Sequence, residues 1–340
     1  MPTDQTKMAP SPLCRRGSAS KSLRLPSMMG AGGLFFCFAV TGCGARTLPS
    51  LPKPALPVSG DTLAPGVVHH AIALGSGTGV DLVDVDIRQA HVAIKIATEH
   101  IGRVQGMIGG QAYTPHEWLD KTHALASVNG GYFGHEDETG RKEFVGLLVQ
   151  AGRVRHVAPP LTGHGGARAR AGRYVRSVLG LGRDGVPRIA YAATEAGHPQ
   201  SLHWYASASA RGQGTPWAIQ SGVGCGPMLV QNGRICVTDR QERLSSAGAL
   251  PRTFVACDGG MRVPSHFIMG MASGMEYRDL AAFVVRYFAR YDGTRAQSAM
   301  CLDGGASTQL SYRAGQDGAV QSPRETGVSV PDAVVVVPRP

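Results

Sequence analysis

The chain has 340 residues, 43% hydrophobic and 17% charged, which is enough apolar material for a substantial core and too much for a disordered polymer. Its formal charge is +10, but residues 1–42 hold five basic residues against Asp4 alone, so the remainder carries +6. No lysine follows a glycine, which excludes the phosphate-cradling loop ending in Gly-Lys-Ser/Thr, and 46 Gly with 22 Pro and no collagen period point to a loop-rich domain with many tight turns.

Residues 15–24 are basic and residues 28–42 are apolar and small, the order of a secretory signal, and the apolar run is short for a spanning helix. It ends in Val40-Thr41-Gly42-Cys43, which resembles a bacterial lipobox: cleavage before Cys43 and acylation of its sulfur would leave a lipid-anchored envelope protein. Gly44, in place of Asp, favours the outer membrane, facing the periplasm. The segment 48–65 is proline-rich, and residues 43–65 are expected to form an extended tether.

The body, residues 66–340, reads as one domain of the α+β class: a mixed, strand-rich sheet core with a few flanking helices. Strands are expected at 67–74, 81–87, 91–97, 144–150, 227–231, 252–257, 298–302 and 332–337. Thr114-Pro115-His116-Glu117 has helix-start spacing, and the helix leads into a small-residue strand, Ala124–Val128, that stops at Asn129-Gly130-Gly131. Ser273-Gly-Met-Glu276 has capping-box spacing, followed by Leu280, Phe283, Val284, Tyr287, Phe288 and Tyr291 at helical intervals until Gly293 ends the run; these aromatics read as core.

Four cysteines remain in the mature domain: Cys225, Cys236, Cys257 and Cys301. Outside the inner membrane at least one disulfide is expected, Cys225–Cys236 across a hairpin or Cys257–Cys301 between strand ends. They contain no Cys-x-x-Cys pair, and the twelve His include no pair at metal-helix spacing with an intervening Glu, so no structural zinc site and no cofactor is expected, and a divalent metal is left open without a ligand motif to support it. Residues 144–183 contain no acid and seven Arg (153, 155, 168, 170, 173, 176 and 183), a basic stretch suited to anionic glycans or to a solvated face. No nucleic-acid-binding motif is present.

Three segments share one design, a strand delivering a polar residue and then glycines: Ser127-Val128-Asn129-Gly130-Gly131-Tyr132-Phe133, Gly224-Cys225-Gly226-Pro227, and Cys301-Leu302-Asp303-Gly304-Gly305-Ala306-Ser307-Thr308. Glycines at strand ends let a ligand approach main-chain N–H groups, and three such ends could converge on one pocket. With GPMLVQNGRI, PRTFVAC and SGMEYRDLAAFVVRYF interleaved in order, the pattern over roughly residues 112–312 resembles the phosphodiester glycosidase family, with Leu-Asp-Gly-Gly-x-Ser-Thr its most specific part. The resemblance implies a hydrolase acting on a sugar-1-phosphodiester in envelope or extracellular polysaccharide.

That reaction builds positive charge at C1 of the sugar and releases a phosphate, so the site needs a carboxylate near C1 and a fixed cation on the phosphate. Asp303 and Arg252 supply the two charges, and the Arg fork can hold two phosphate oxygens. Asn129, Ser307 and Thr308 can bind sugar hydroxyls or phosphate oxygens, the N–H groups of Gly304 and Gly305 can form an anion nest, and Gly130, Gly131, Gly226 and Thr253 complete the substrate pocket. Glu136, Asp137, Glu138 and Glu143 are candidates for a second carboxylate. Two other functions fit the same residues: a non-catalytic glycan-binding lipoprotein of the same fold, and a metal-dependent phosphodiesterase cutting P–O with the acidic loop 136–138 as ligands.

Overall fold

A computed structural model of the protein describes residues 59–75, 77–157, 175–195, 197–210, 212–244, 248–315 and 318–339. All of them fall in one compact unit, Pro49–Pro340. The signal segment, Cys43, most of the tether, and Arg168, Arg170 and Arg173 lie outside the described residues.

Strand alternation builds the core. In an eight-stranded sheet, Val83, Val85, Val255, Cys257, Met269 and Met300 point to one face, and Val80, Leu82, Phe254, Ala256, Ile268 and Cys301 to the other. The first face shares a single central core with the inner faces of a seven-stranded sheet (Leu179, Tyr191, Val223) and a five-stranded sheet (Val128, Leu310, Val334). Two helices seal outer faces. Helix α1 (Pro115–Lys121) lays Trp118 and Leu119 on the outer face of the five-stranded sheet, and α2 (Tyr277–Tyr287) lays Leu280, Phe283 and Val284 on that of the eight-stranded sheet. A four-stranded sheet carries the acidic hairpin Phe133–Glu136 and Arg141–Phe144.

Seven of these eight expected strands occur, with ends moved by a few residues, whereas 144–150 is broken after Phe144, which ends a strand of the four-stranded sheet, and resumes as Leu148–Gln150 in the seven-stranded sheet; strand makes up 53% of the described residues and helix 10%. Every ladder among the described residues is antiparallel, so the expected mixed sheet is instead a set of antiparallel sheets, joined largely by short turns. The strands at Arg176–Leu181, Pro187–Glu195, His198–Tyr205 and His266–Met275 were not foreseen; their frequent Gly, Ala and Ser blunt the apolar alternation.

The capping box at Thr114 forms as expected, with the Thr114 hydroxyl accepting from the Glu117 amide at 3.2 Å and the Glu117 carboxylate accepting from the Thr114 amide at 2.7 Å. The one expected at Ser273 does not. Ser273 lies inside the His266–Met275 strand, where its hydroxyl accepts from the Gly79 amide at 2.9 Å, and Glu276 occupies the N-cap with no side-chain cap. Helix α2 passes into a π-helical turn, Phe288–Asp292, which Gly293 stops at φ +60°.

The last residues expected in the tether belong to the fold. Ser59–Ala64 lies between Pro57 and Pro65 and forms an edge strand on Val67–Gly75, with Leu63 and Ala64 packed against the central core. Arg176 is buried at a strand start and is no part of a solvated basic face, whereas Arg153, Arg155 and Arg183 are exposed.

The four cysteines of the domain are free. Cys257 and Cys301 cannot pair: in the ladder between Leu250–Cys257 and Ser298–Cys301, Cys257 faces Ser298 while Cys301 faces Phe254, three positions along, and the two thiols point to opposite faces of the sheet. Cys225 and Cys236 are not bonded either. Cys225 packs in the central core, and Cys236 lies 3.9 Å from the Tyr191 hydroxyl.

Candidate active site

The three glycine turns meet. The Asp303 amide donates to the Gly130 carbonyl at 3.0 Å, the Gly226 amide to the Cys301 carbonyl at 3.1 Å, and the Tyr132 hydroxyl to the Gly226 carbonyl at 2.7 Å. Glycine is required where these chains touch: a Cβ at Gly131 would sit 2.8 Å from Val223, and one at Gly130 would strike the Asp332 carboxylate.

Asn129 is the knot beneath this junction. Wholly buried at the end of the Ala126–Asn129 strand, its amide donates to the Asp303 carbonyl at 2.8 Å, and its oxygen accepts from the Thr253 hydroxyl at 2.7 Å and the Gln309 amide at 3.1 Å. Asn129 and Thr253 were expected to touch substrate; the structure commits them to each other. The Gly304 amide is similarly taken, donating to the Asp303 carboxylate at 2.9 Å, so it is no free member of an anion nest. Gly305, at φ +64°, opens the short 3-10 turn Gly305–Ser307, which brings the Ser307 hydroxyl onto Asp303. Thr308 is fully buried and its hydroxyl has no hydrogen-bond partner.

Asp303 is the partly accessible acid of the group. Burial pushes its carboxyl up to about 6, against the pull of hydrogen bonds from Ser307 and the Gly304 amide. Beside it lies Asp332, which sequence reasoning missed. It is 2% exposed and accepts the Gly131 amide at 2.7 Å, and burial, with the Asp303 charge adding to it, pushes it up to about 7. The expected second carboxylates lie elsewhere. Glu136 pairs with Lys142 at 3.4 Å, Asp137 accepts three donors within its own turn, Glu138 is exposed, and Glu143 packs on Gly134.

Arg252 enters from the Leu250–Cys257 strand. Its guanidinium lies 3.9 Å over the Tyr277 ring and donates to the carbonyls of Met275 at 3.2 Å and Gly248 at 2.9 Å. It faces a cavity of about 520 Å³ whose lining includes Arg240, Arg278, Asp239, Glu276 and Tyr277, a size that suits a sugar phosphate. Burial holds the Tyr132 phenol well above its ordinary value, with the nearby Cys225, Tyr277, Cys301 and Asp303 groups adding to it. The thiols nearby are inert: burial holds Cys225 well above its ordinary value and pushes Cys301 up to about 12. Glu242, 1% exposed, buttresses the Gly226 turn by accepting from the Ser177 amide and hydroxyl, the Met228 amide and the Thr238 hydroxyl at 2.6–2.8 Å.

The phosphodiester glycosidase family profile matches residues 122–337, a span that contains every residue of this junction and cavity. The chain belongs to the phosphodiester glycosidase family. Among solved structures, this phosphodiester glycosidase domain is similar to a hypothetical protein from Synechocystis at 15% identity and a TM-score of 0.53, covering 84% of this chain and 64% of that one, a likeness of fold alone. It is also similar to the catalytic domain of zebrafish N-acetylglucosamine-1-phosphodiester alpha-N-acetylglucosaminidase, auto-inhibited by its pro-peptide, at 15% identity and a TM-score of 0.48, covering 84% and 87%. No curated protein sequence matches the chain.

Proposed function

We propose that the protein hydrolyses the C1–O bond of a sugar-1-phosphodiester in envelope or extracellular polysaccharide. The observation that carries this reading is two opposed groups on adjoining segments: the Asp303 carboxyl at the glycine junction and the Arg252 guanidinium stacked on Tyr277 at the cavity, where the Leu302 amide donates to the Thr253 carbonyl at 2.9 Å and a Cβ at Gly304 would lie 3.8 Å from the Arg252 guanidinium. Membership of the phosphodiester glycosidase family supports it.

In this mechanism the phosphate lies in the cavity against Arg252, with Arg240 and Arg278 adding positive potential, and C1 points toward Asp303. The C1–O bond breaks with its electron pair leaving on the phosphate, a good leaving group that needs no proton. A water oxygen bonds to C1 and its proton passes to ionised Asp303. Asp332, dry and hydrogen-bonded to Gly131, positions the turn and stays protonated at pH values where Asp303 is already ionised. The acidic loop gives the P–O-cutting alternative little support, because Glu136 and Asp137 are satisfied locally.

The test is hydrolysis of a panel of sugar-1-phosphodiesters in oxygen-18 water. Label in the released sugar is the expected result; label in the phosphate, or binding without turnover across the panel, overturns the reading. Acylation at Cys43 and attachment to the outer membrane belong to the same proposal, supported by the lipobox-like sequence alone. Cys43→Ser should move the protein from the membrane to the soluble fraction, because stable anchoring needs acyl chains.

A further inference from the structure

At the far ends of the strands that carry Arg252 lies a second cluster of ionisable groups, formed by Asp84, His266 and Asp292. Arg252 and Cys257 are separated by five positions of one strand, about 17 Å at strand rise, and Asp258 beyond Cys257 receives the chain at His266. The cluster is therefore remote from Asp303 and the cavity.

Its three members come from three separate elements. Asp84 lies in the Thr78–Asp86 strand, His266 opens the His266–Met275 strand, and Asp292 closes the π-helical turn after α2. One ligand atom from each lies within 4.8 Å of the other two. His266 Nδ1 is 3.0 Å from Asp84 Oδ1 and 3.7 Å from Asp292 Oδ1. Ligands bonded to one ion at 2.0–2.2 Å stand roughly 3–4 Å apart, so this spacing needs only small side-chain shifts to close on a cation.

Two further observations point to a ligand. The Asp292 side chain is 4% exposed, and its Oδ2 is buried with no hydrogen-bond partner. A carboxylate so placed, facing the carboxylate of Asp84 inside the protein, is costly unless a cation or a proton lies between them. The surroundings are also built like an outer coordination shell: the Tyr287 hydroxyl donates to Asp84 Oδ2 at 2.8 Å, fixing that carboxylate while leaving Oδ1 turned to His266. The neighbouring charges do not satisfy the cluster. Asp86 is engaged by Arg88, whose side chain is 62% exposed, and Asp258 accepts the Ser265 and His266 amides.

We propose that Asp84, His266 and Asp292 bind one divalent transition-metal cation, Zn2+ or Mn2+, which clamps the end of the α2 and π-helical run to the two strands beneath it. One imidazole with two carboxylates suits these ions; Ca2+ prefers six or more oxygens and Mg2+ binds imidazole poorly. Asp84 lies outside the segment matched by the family profile, and the three ligands are scattered over more than 200 positions, so no linear motif marks the site.

The experiment uses untagged protein stripped with chelator and returned to metal. Isothermal titration should give one equivalent of Zn2+ or Mn2+, and the same ions should raise Tm by roughly 5 °C or more at saturating concentration, with Mg2+ giving no such shift. Asp292→Asn and His266→Gln should each abolish the shift, and Tyr287→Phe should weaken binding by about 10-fold. No stoichiometric binding at millimolar metal, or an Asp292→Asn protein that binds as wild type does, overturns the proposal. Should both ligand variants fail to fold, the Mn2+ electron-spin spectrum of the wild type decides: nitrogen coupling from one imidazole is expected, and its absence overturns the assignment.

Discussion

Asn129 and Thr253, 124 positions apart, share a 2.7 Å hydrogen bond that fastens the strand ending in the Asn-Gly-Gly turn to the strand carrying Arg252. Because Asn129 also holds the Asp303 carbonyl and the Gln309 amide, one fully buried amide fixes the relative positions of both proposed charged groups. It sets the distance between the acid and the cation without touching either side chain.

Asn129→Ala removes this knot and leaves the Thr253 hydroxyl and the Gln309 amide buried without partners. Each such group costs about 1–3 kcal/mol, so a loss of about 3 kcal/mol in urea-unfolding stability is expected. A variant within 0.5 kcal/mol of wild type, on the order of a surface substitution, would show that the knot carries no strain of consequence.

Asp303 must be ionised to accept a proton, and burial places its titration near pH 6. Turnover should therefore climb with pH through about 6 and level off above 7. Asp303→Asn keeps shape and removes charge; kcat should fall by about 100-fold or more, with substrate binding largely kept and the acid limb gone from the residual activity. A folded variant with near-normal turnover would remove Asp303 from the mechanism.

Asp332 bears on stability in the opposite sense from a salt-bridged acid. Its folded value of about 7 lies above the ordinary 3.8, so the native state holds the proton more tightly than the unfolded chain. Stability should be greatest below pH 4 as far as this group is concerned, and should fall between about pH 4 and 7, by a few kcal/mol in order of magnitude. Asp332→Asn can still accept from the Gly131 amide and should flatten most of that slope, leaving the variant more stable than wild type at pH 8. Parallel stability curves for the two proteins between pH 4 and 8 would refute the assignment.

The parts of this protein that were legible in its sequence are those written locally. The Thr114 capping box, the stop at Gly293 and the valine run of the Asp332–Pro338 strand each declare themselves within a few residues, and all occur. The convergence of the three glycine turns was legible too, because three strand ends with one design imply a shared destination. What stayed hidden depends on partners far apart in the chain. Asn129 looks like a sugar ligand until Thr253 and Gln309 are seen to consume it, and Asp332 looks like the polar start of an apolar strand until Gly131 is placed above it. Tyr277 and Arg278, hidden at the start of a helix whose pattern spoke of core, turned out to line the cavity. Cysteine count suggested a bridge, but sheet register and facing decide that, and neither is a property of spacing.

The strand Asp332–Pro338 runs through the interior of its sheet, between Val92–Thr98 and Ala126–Asn129, so neighbours made more than 200 residues earlier must wait for it. A ribosome that has synthesised the first 330 residues has therefore produced Val128 and Ile94 with part of their cover missing and two strand edges open. Such long-range closure slows folding and leaves the growing chain prone to stick to its neighbours. The protein should depend on holding factors during synthesis more than a helical protein of the same length, and nascent chains halted before Asp332 should aggregate where the completed chain does not.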